Sequence, residues 1–126
     1  MMATETSEQT MQARAIARHV RMSPRKVRLV VDQIRGRSVN EAYALLQFSP
    51  KAAAGPVEKT LRSAVANAQY RAEEEGGIVD IDELVIREAF VDGGPALRRY
   101  KAAAMGRPAP RRSRMSHITV VVQTRE

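Results

Sequence analysis

The residues whose type and spacing can do chemistry in this chain are its arginines and lysines. Between Val91 and His117 lie Arg98, Arg99, Lys101, Arg107, Arg111, Arg112 and Arg114, against the single acid Asp92. Such a stretch repels itself. It has too few apolar side chains to offset an ordering cost of roughly 1 to 2 kcal/mol per residue. It therefore predicts a polyanionic partner that neutralises it. An earlier basic series runs through Arg14, Arg18 and Arg21, then Arg25, Lys26 and Arg28, then Arg35 and Arg37. Arg25 and Lys26 follow Ser23-Pro24, a cap and first-position pair that starts a helix. Cations in a first turn oppose the helix dipole, so local stability does not select them; beside free backbone N–H groups they suit a phosphate. Solvated charge on a basic protein is the competing explanation for both series.

No catalytic constellation accompanies these bases. His19 and His117 are the only histidines and cysteine is absent, which leaves neither a metal-ligand spacing nor a thiolate nucleophile. Gly76-Gly77 and Gly93-Gly94 read as turns, because no lysine and serine or threonine follow them as in a phosphate-binding loop. Neither an enzyme nor a cofactor or metal is expected. Only Tyr100 is aromatic within the basic stretch. Stacking of splayed bases is thus not the expected mode there, and recognition should rest on phosphate contacts and shape.

The elements that must position these bases fit one domain. The chain has 126 residues, a net charge of +7 and a pI near 10.5, enough for a single core and biased toward nucleic acid or an anionic surface. Membrane insertion is not expected, since the longest clean apolar run is Val120 to Val122 with Ile118 nearby and the N-terminus has no signal pattern. A cysteine-free chain fits the cytoplasm. Eight of the fourteen acids fall between Glu73 and Asp92, with Arg87 as the only base among them; one surface is thus acidic while another is basic.

In chain order, residues 1–11 read as a disordered tail and 12–126 as a single globular domain. Gln12 to Met22 alternates as a strand with small residues on one side. A first helix runs from Ser23-Pro24 to Gly36 with Val27, Val30, Val31 and Ile34 as its buried stripe. A second carries a capping-box pair, Ser38 and Glu41, with Val39, Ala42, Leu45 and Leu46 inward. A third is expected to restart at Ser49-Pro50 and run to Gly76-Gly77, kinked at Gly55-Pro56 or preceded by a short turn, with Val57, Leu61, Ala64, Val65, Ala68 and Ala72 as its stripe. Leu84 to Val91 and His117 to Thr124 are strands whose inward sides are Leu84, Ile86 and Phe90, and Ile118, Val120 and Val122. The fold class is α+β: three helices on a small three-stranded antiparallel sheet, with a long protruding β-hairpin over 92–116. Arms of about twelve residues at roughly 3.3 Å each reach about 40 Å if extended. Two helices joined at Gly36 also admit a helix-turn-helix DNA-binding reading, but the second helix has no Arg or Lys to read bases.

Four stretches carry a family resemblance. They are Ala17-Arg18-His19-Val20-Arg21-Met22-Ser23-Pro24-Arg25-Lys26-Val27-Arg28 with Leu29 to Asp32; Ser63-Ala64-Val65-Ala66-Asn67-Ala68; Asp92-Gly93-Gly94-Pro95 with Leu97-Arg98-Arg99; and Ser116-His117-Ile118-Thr119-Val120-Val121-Val122. Collinear from Ala13 onward, the chain resembles the bacterial large-subunit ribosomal protein twenty-two family. The resemblance implies a non-catalytic domain seated on large-subunit ribosomal RNA, aiding assembly, monomeric within the ribosome. Its hairpin would line the polypeptide exit tunnel beside large-subunit protein four and the nascent polypeptide, near where macrolides act. With the charge pattern, it assigns RNA contact to Arg14, Arg18, Arg21, Ser23, Arg25, Lys26, Arg28, Arg35, Arg37, Arg98, Arg99, Lys101, Arg111, Arg112, Arg114, Ser116 and His117. The hairpin tip falls at Ala103, Ala104, Met105, Gly106, Arg107 and Pro108. There the family usually has a basic residue, Pro and Arg before the glycine. This chain has Ala102-Ala103-Ala104-Met105, leaving Arg107 as the tip charge.

Overall fold

The computed structural model describes residues 11–77, 79–102 and 104–124; of 99–102, 104 and 108–112 it describes the backbone alone. The elements are β1 (Gln12–Val20), α1 (Pro24–Ile34), α2 (Val39–Gln47), α3 (Ala54–Glu74), β2 (Leu84–Gly93), β3 (Leu97–Ala102), β4 (Pro108–Ser113) and β5 (Ser116–Thr124). Three helices pack on a three-stranded antiparallel sheet of order β1-β5-β2, an α+β fold. β3 and β4 form a separate antiparallel ladder and pack chiefly on each other. The tail expected over 1–11 lies outside the described residues except for Met11. That residue is tied to β5, its N–H donating to Thr124 Oγ1 at 3.1 Å and its carbonyl accepting the Thr124 N–H at 3.0 Å.

α1 forms where its sequence signals place it. Pro24 fits the first turn, Gly36 at φ +80° ends the helix in a conformation suited to glycine, and Val27, Val30, Val31 and Ile34 are all fully buried. In α2 the Ser38 side chain accepts the Glu41 N–H at 3.3 Å, and the Glu41 carboxylate faces Arg37 at 3.7 Å. Val39, Ala42 and Leu46 are buried while Leu45 is partly exposed. α3 starts at Ala54, not at Ser49-Pro50. Pro56 therefore sits in the first turn, where a missing N–H breaks no intrahelical bond, and no kink is needed. The alanines of α3 let it lie close on β1, whose inward residues Ala13, Ala15 and Ala17 are equally small.

Two bulges decide which side chains the sheet buries. In β2, Ile86 pairs with Val122 but Glu88 pairs with Val121, so Arg87 is the extra residue. One added residue reverses the alternation. Leu84 and Ile86 are buried before the bulge and Ala89 and Val91 after it, whereas Phe90, expected inside, is 41% exposed. The bulge thus resolves the interruption at Glu88 by turning it outward. In β1 the register slips between Ala17, opposite Ile118, and Val20, opposite Ser116, with His19 at φ +59°. The strand expected through Met22 ends there, at Val20.

Both sheet edges are closed by helix side chains. Arg28 donates through Nε and one terminal nitrogen to the Val91 carbonyl at 3.1 and 2.9 Å, and Arg35 does the same to Ala89 at 3.0 and 2.6 Å. Farther along β2, the Gly36 N–H donates to the Ile86 carbonyl and the Ile86 N–H to the Arg37 carbonyl. At the other edge Arg71 reaches the Gln12 carbonyl at 2.7 Å and Asn67 the Arg14 carbonyl at 2.9 Å. Four helical residues rise about 6 Å and two strand residues about 6.7 Å, so α3 and β1 stay in step for this pair of contacts.

Candidate nucleic-acid interface

The bases expected to meet a polyanion fall into three groups. The first is the hairpin. Its register sets Arg98 opposite Arg112 and Arg99 opposite Arg111. Like charges at directly opposed positions weaken a ladder, and counter-charge relieves this. The side chains of Arg99, Lys101, Arg111 and Arg112 lie outside the described residues, as do Ala103 and the side chains of Ala104 and Pro108. Arg98 and Arg114 are exposed. At the tip Met105 (φ +61°) and Gly106 (φ +72°) make a left-handed turn, with Met105 96% exposed and Arg107 exposed beside it. The paired arms are six residues each, about 20 Å long. The rest of 92–116 belongs to the main sheet and to a joint at 94–96 and 114–115.

At that joint the two histidines meet. The His19 N–H donates to His117 Nδ1 at 3.1 Å, and the rings stand edge to face with centroids 5.0 Å apart. Their separation of 98 residues in sequence hid this contact. Gly94 packs against the same imidazole: a Cβ there would come within 3.2 Å of His117 Cε1 and Nε2. His117 thus holds the bulge of β1 and the base of the hairpin together. Ser116, expected to touch RNA, is 0% exposed and its Oγ has no hydrogen-bond partner among the described residues; its place is inside the sheet.

The second group converges on a cleft of about 610 Å³ at the start of α1. Arg21, Ser23 and Lys26 come from the turn into α1, Lys51 from the segment before α3, and Arg114 from the hairpin joint. No acid lines the cleft, and none of these four cations is in an ion pair among the described residues. The Ser23 side chain makes no cap bond. The Lys26 and Val27 N–H groups both close on the Ser23 carbonyl at 3.1 Å, so the helix terminus contributes less than free donors would and the side chains carry the charge. Arg25 is exposed on the same first turn. Lys51 was not among the expected residues. The only signal for it was a lone base just after Ser49-Pro50.

The third group works on the fold. Arg28 and Arg35 bridge α1 to β2 as described, and Arg35 also pairs with Asp32 at 2.9 Å. Arg37 donates to the Gln33 carbonyl at 2.7 Å and faces Glu41. Arg14 and Arg18 are exposed on the sheet face that the helices leave open. Among the described residues no group of three or more His, Asp or Glu comes together as metal ligands, and no helix is long and apolar enough to cross a membrane.

Comparison with known proteins agrees with this architecture. The family model for ribosomal protein L22p/L17e matches residues 15–123. The large ribosomal subunit protein uL22 of Desulfitobacterium hafniense (strain Y51) is 58% identical over 111 residues, covering 88% of this chain and 93% of that protein. The uL22 protein of Bifidobacterium longum (strain DJO10A) is 52% identical over 116 residues, covering 92% and 98%. Matches of this extent run through the sheet, all three helices and both sides of the hairpin, and the chain belongs to the ribosomal protein L22p/L17e family.

Proposed function

We propose that this chain binds large-subunit ribosomal RNA through phosphate and shape contacts, supports subunit assembly, and lines the polypeptide exit tunnel with its hairpin. As a family member it is a structural constituent of the large ribosomal subunit in the cytoplasm, and it is not an enzyme. The observation that carries the RNA reading is the cleft in which Arg21, Lys26, Lys51 and Arg114 gather from separate segments without an acid. Four such charges repel one another unless an anion sits among them, and a phosphodiester backbone supplies anions at the right density. Arg14, Arg18, Arg25, Arg98 and the basic hairpin extend the same surface, and the contact set expected from sequence is proposed with it, Ser116 excepted. Arg28, Arg35 and Arg37 serve the fold first and offer RNA only what those contacts leave.

In this reading the tip around Met105-Gly106-Arg107 faces the tunnel, beside large-subunit protein four and the nascent polypeptide, with one copy of the chain per subunit. The test is co-sedimentation with large subunits after a high-salt wash, followed by directed cleavage of ribosomal RNA by hydroxyl radicals generated from an iron chelate tethered to the thiol of Met105→Cys. Cleavage of tunnel-wall nucleotides is the expected result. Free protein after the wash defeats the RNA reading; retention with cleavage confined to the subunit exterior defeats the tunnel reading alone.

A further inference from the structure

We propose that Phe48 and the groove beside it form a stacking site for an unpaired base of ribosomal RNA, a contact of a different kind from the phosphate contacts above; it rests on the RNA reading. Phe48 caps the C-terminus of α2 with 85% of its surface exposed, although burying a phenylalanine is worth about 1.5 to 3 kcal/mol. The segment that carries it is held in place: the Phe48 N–H donates to the Ala44 carbonyl at 3.3 Å, the Ser49 N–H to Leu46 at 3.4 Å, and the Lys51 N–H to Ser49 Oγ at 3.3 Å. The ring is therefore exposed on an ordered turn.

The groove, about 700 Å³, has Ala44, Leu45 and Pro50 as its apolar part and Gln33, Ser49 and Lys51 among its polar lining. An aromatic face beside an apolar floor, with amide, hydroxyl and ammonium groups near it, matches a nucleobase: a π-face to stack and an edge to hydrogen bond. A docked protein would call for a broad apolar patch around the aromatic, yet Leu45 is only 37% exposed and the Arg37–Glu41 pair lines the same groove. Lys51 supplies continuity, because it lines both this groove and the phosphate cleft. One RNA segment laid through the cleft can thus place a phosphate on one side of Lys51 and a base on Phe48. The sparse aromatics of the hairpin do not bear on this site, which lies on the helical body.

The chain has no tryptophan, so Phe48→Trp gives a single indole reporter. Titrated with protein-free large-subunit ribosomal RNA, its emission should be quenched as the complex forms. Phe48→Ala should weaken binding about 5- to 150-fold, the equivalent of roughly 1 to 3 kcal/mol per stacked base. Phe48→Tyr should bind like the parent chain, Phe48→Leu like Phe48→Ala, and the salt dependence should stay unchanged in all of them because no charge is removed. Unaltered emission in Phe48→Trp that binds with the parent's affinity overturns the stacking site and leaves the RNA reading standing. So does an emission blue shift that appears only in assembled subunits, since it marks a protein neighbour. Failure of the parent chain itself to bind the RNA overturns both.

Discussion

Removing the four cations of the cleft should change the salt dependence of RNA binding by a calculable amount. The variant is Arg21→Gln, Lys26→Gln, Lys51→Gln and Arg114→Gln, all in one chain. Each phosphate contact contributes about 0.7 to 0.9 to the slope of log affinity against log salt, so four contacts contribute about 3 to 3.5. Between 50 and 200 mM salt, a fourfold change, that is about two decades of affinity; a parent making six to ten contacts loses roughly 10³ to 10⁵ over the range, and the variant should lose only about 10 to 10³. Filter binding or fluorescence anisotropy with large-subunit ribosomal RNA over a salt series reads the slope directly. The fold should be intact, because these side chains lie around an open cleft rather than in the core. Removing their mutual repulsion should leave the melting temperature unchanged or slightly raised. Arg62→Gln is the control, since Arg62 pairs with Glu58 at 2.8 Å on α3 away from the cleft, and its slope should match the parent's. If the fourfold variant keeps the parent's slope, the cleft does not hold phosphate, whatever its charge.

Three further outcomes follow from the fold. Arg28→Ala and Arg35→Ala should each cost on the order of 1 kcal/mol in chemical denaturation and speed amide exchange along β2; unchanged exchange at Ala89 and Val91 would show that the guanidinium bridges do not hold that edge. Deleting Arg87 should leave thermal unfolding cooperative, because Glu88 then follows Ile86 directly and Ala89 and Val91 keep their inward facing, whereas deleting Arg87 and Glu88 together should abolish it by turning Ala89 and Val91 outward and Phe90 inward. Burial raises the Tyr43 phenol above its ordinary value, with Arg62 opposing and Glu58 adding to the effect. The folded state therefore keeps that proton to higher pH than the unfolded chain, so its contribution is complete below about pH 10 and is lost as pH rises through the folded value. Tyr43→Phe should melt with a shallower alkaline decline, and identical declines above about pH 10 would contradict it.

The parts of the fold legible in the sequence were those set by near neighbours. Ser23-Pro24, the valine spacing and Gly36 define α1 within one stretch, and its four buried residues were all identified from their period. β2 was legible as a strand but not in its facing, because the bulge at Arg87 exists only through pairing with β5, about thirty residues away. The start of α3 was misplaced for a related reason: Ser-Pro is a cap in isolation, but here Ser49 turns its hydroxyl to the Lys51 N–H instead of capping a helix. For the interface, sequence gave the residue types and left their work open. Arg28 and Arg35, two helical turns apart, resemble any exposed bases until β2 is seen alongside them. Lys51 joins Arg21, Lys26 and Arg114 only once three loops have been brought to one end of α1.

The joint at Gly94 and His117 makes the hairpin a lever. A rotation of about 10° at its base displaces the far end of an arm of roughly 20 Å by about 3.5 Å, more than the tolerance of a hydrogen bond. The aim of the tip is therefore fixed mostly where the arm is rooted, by an imidazole wedged between a glycine and the turned backbone of His19. A methyl group added at Gly94 must move that imidazole, and the error it introduces grows along the arm. Changes to the reach of Met105 and Arg107 can thus originate at residues that touch neither of them.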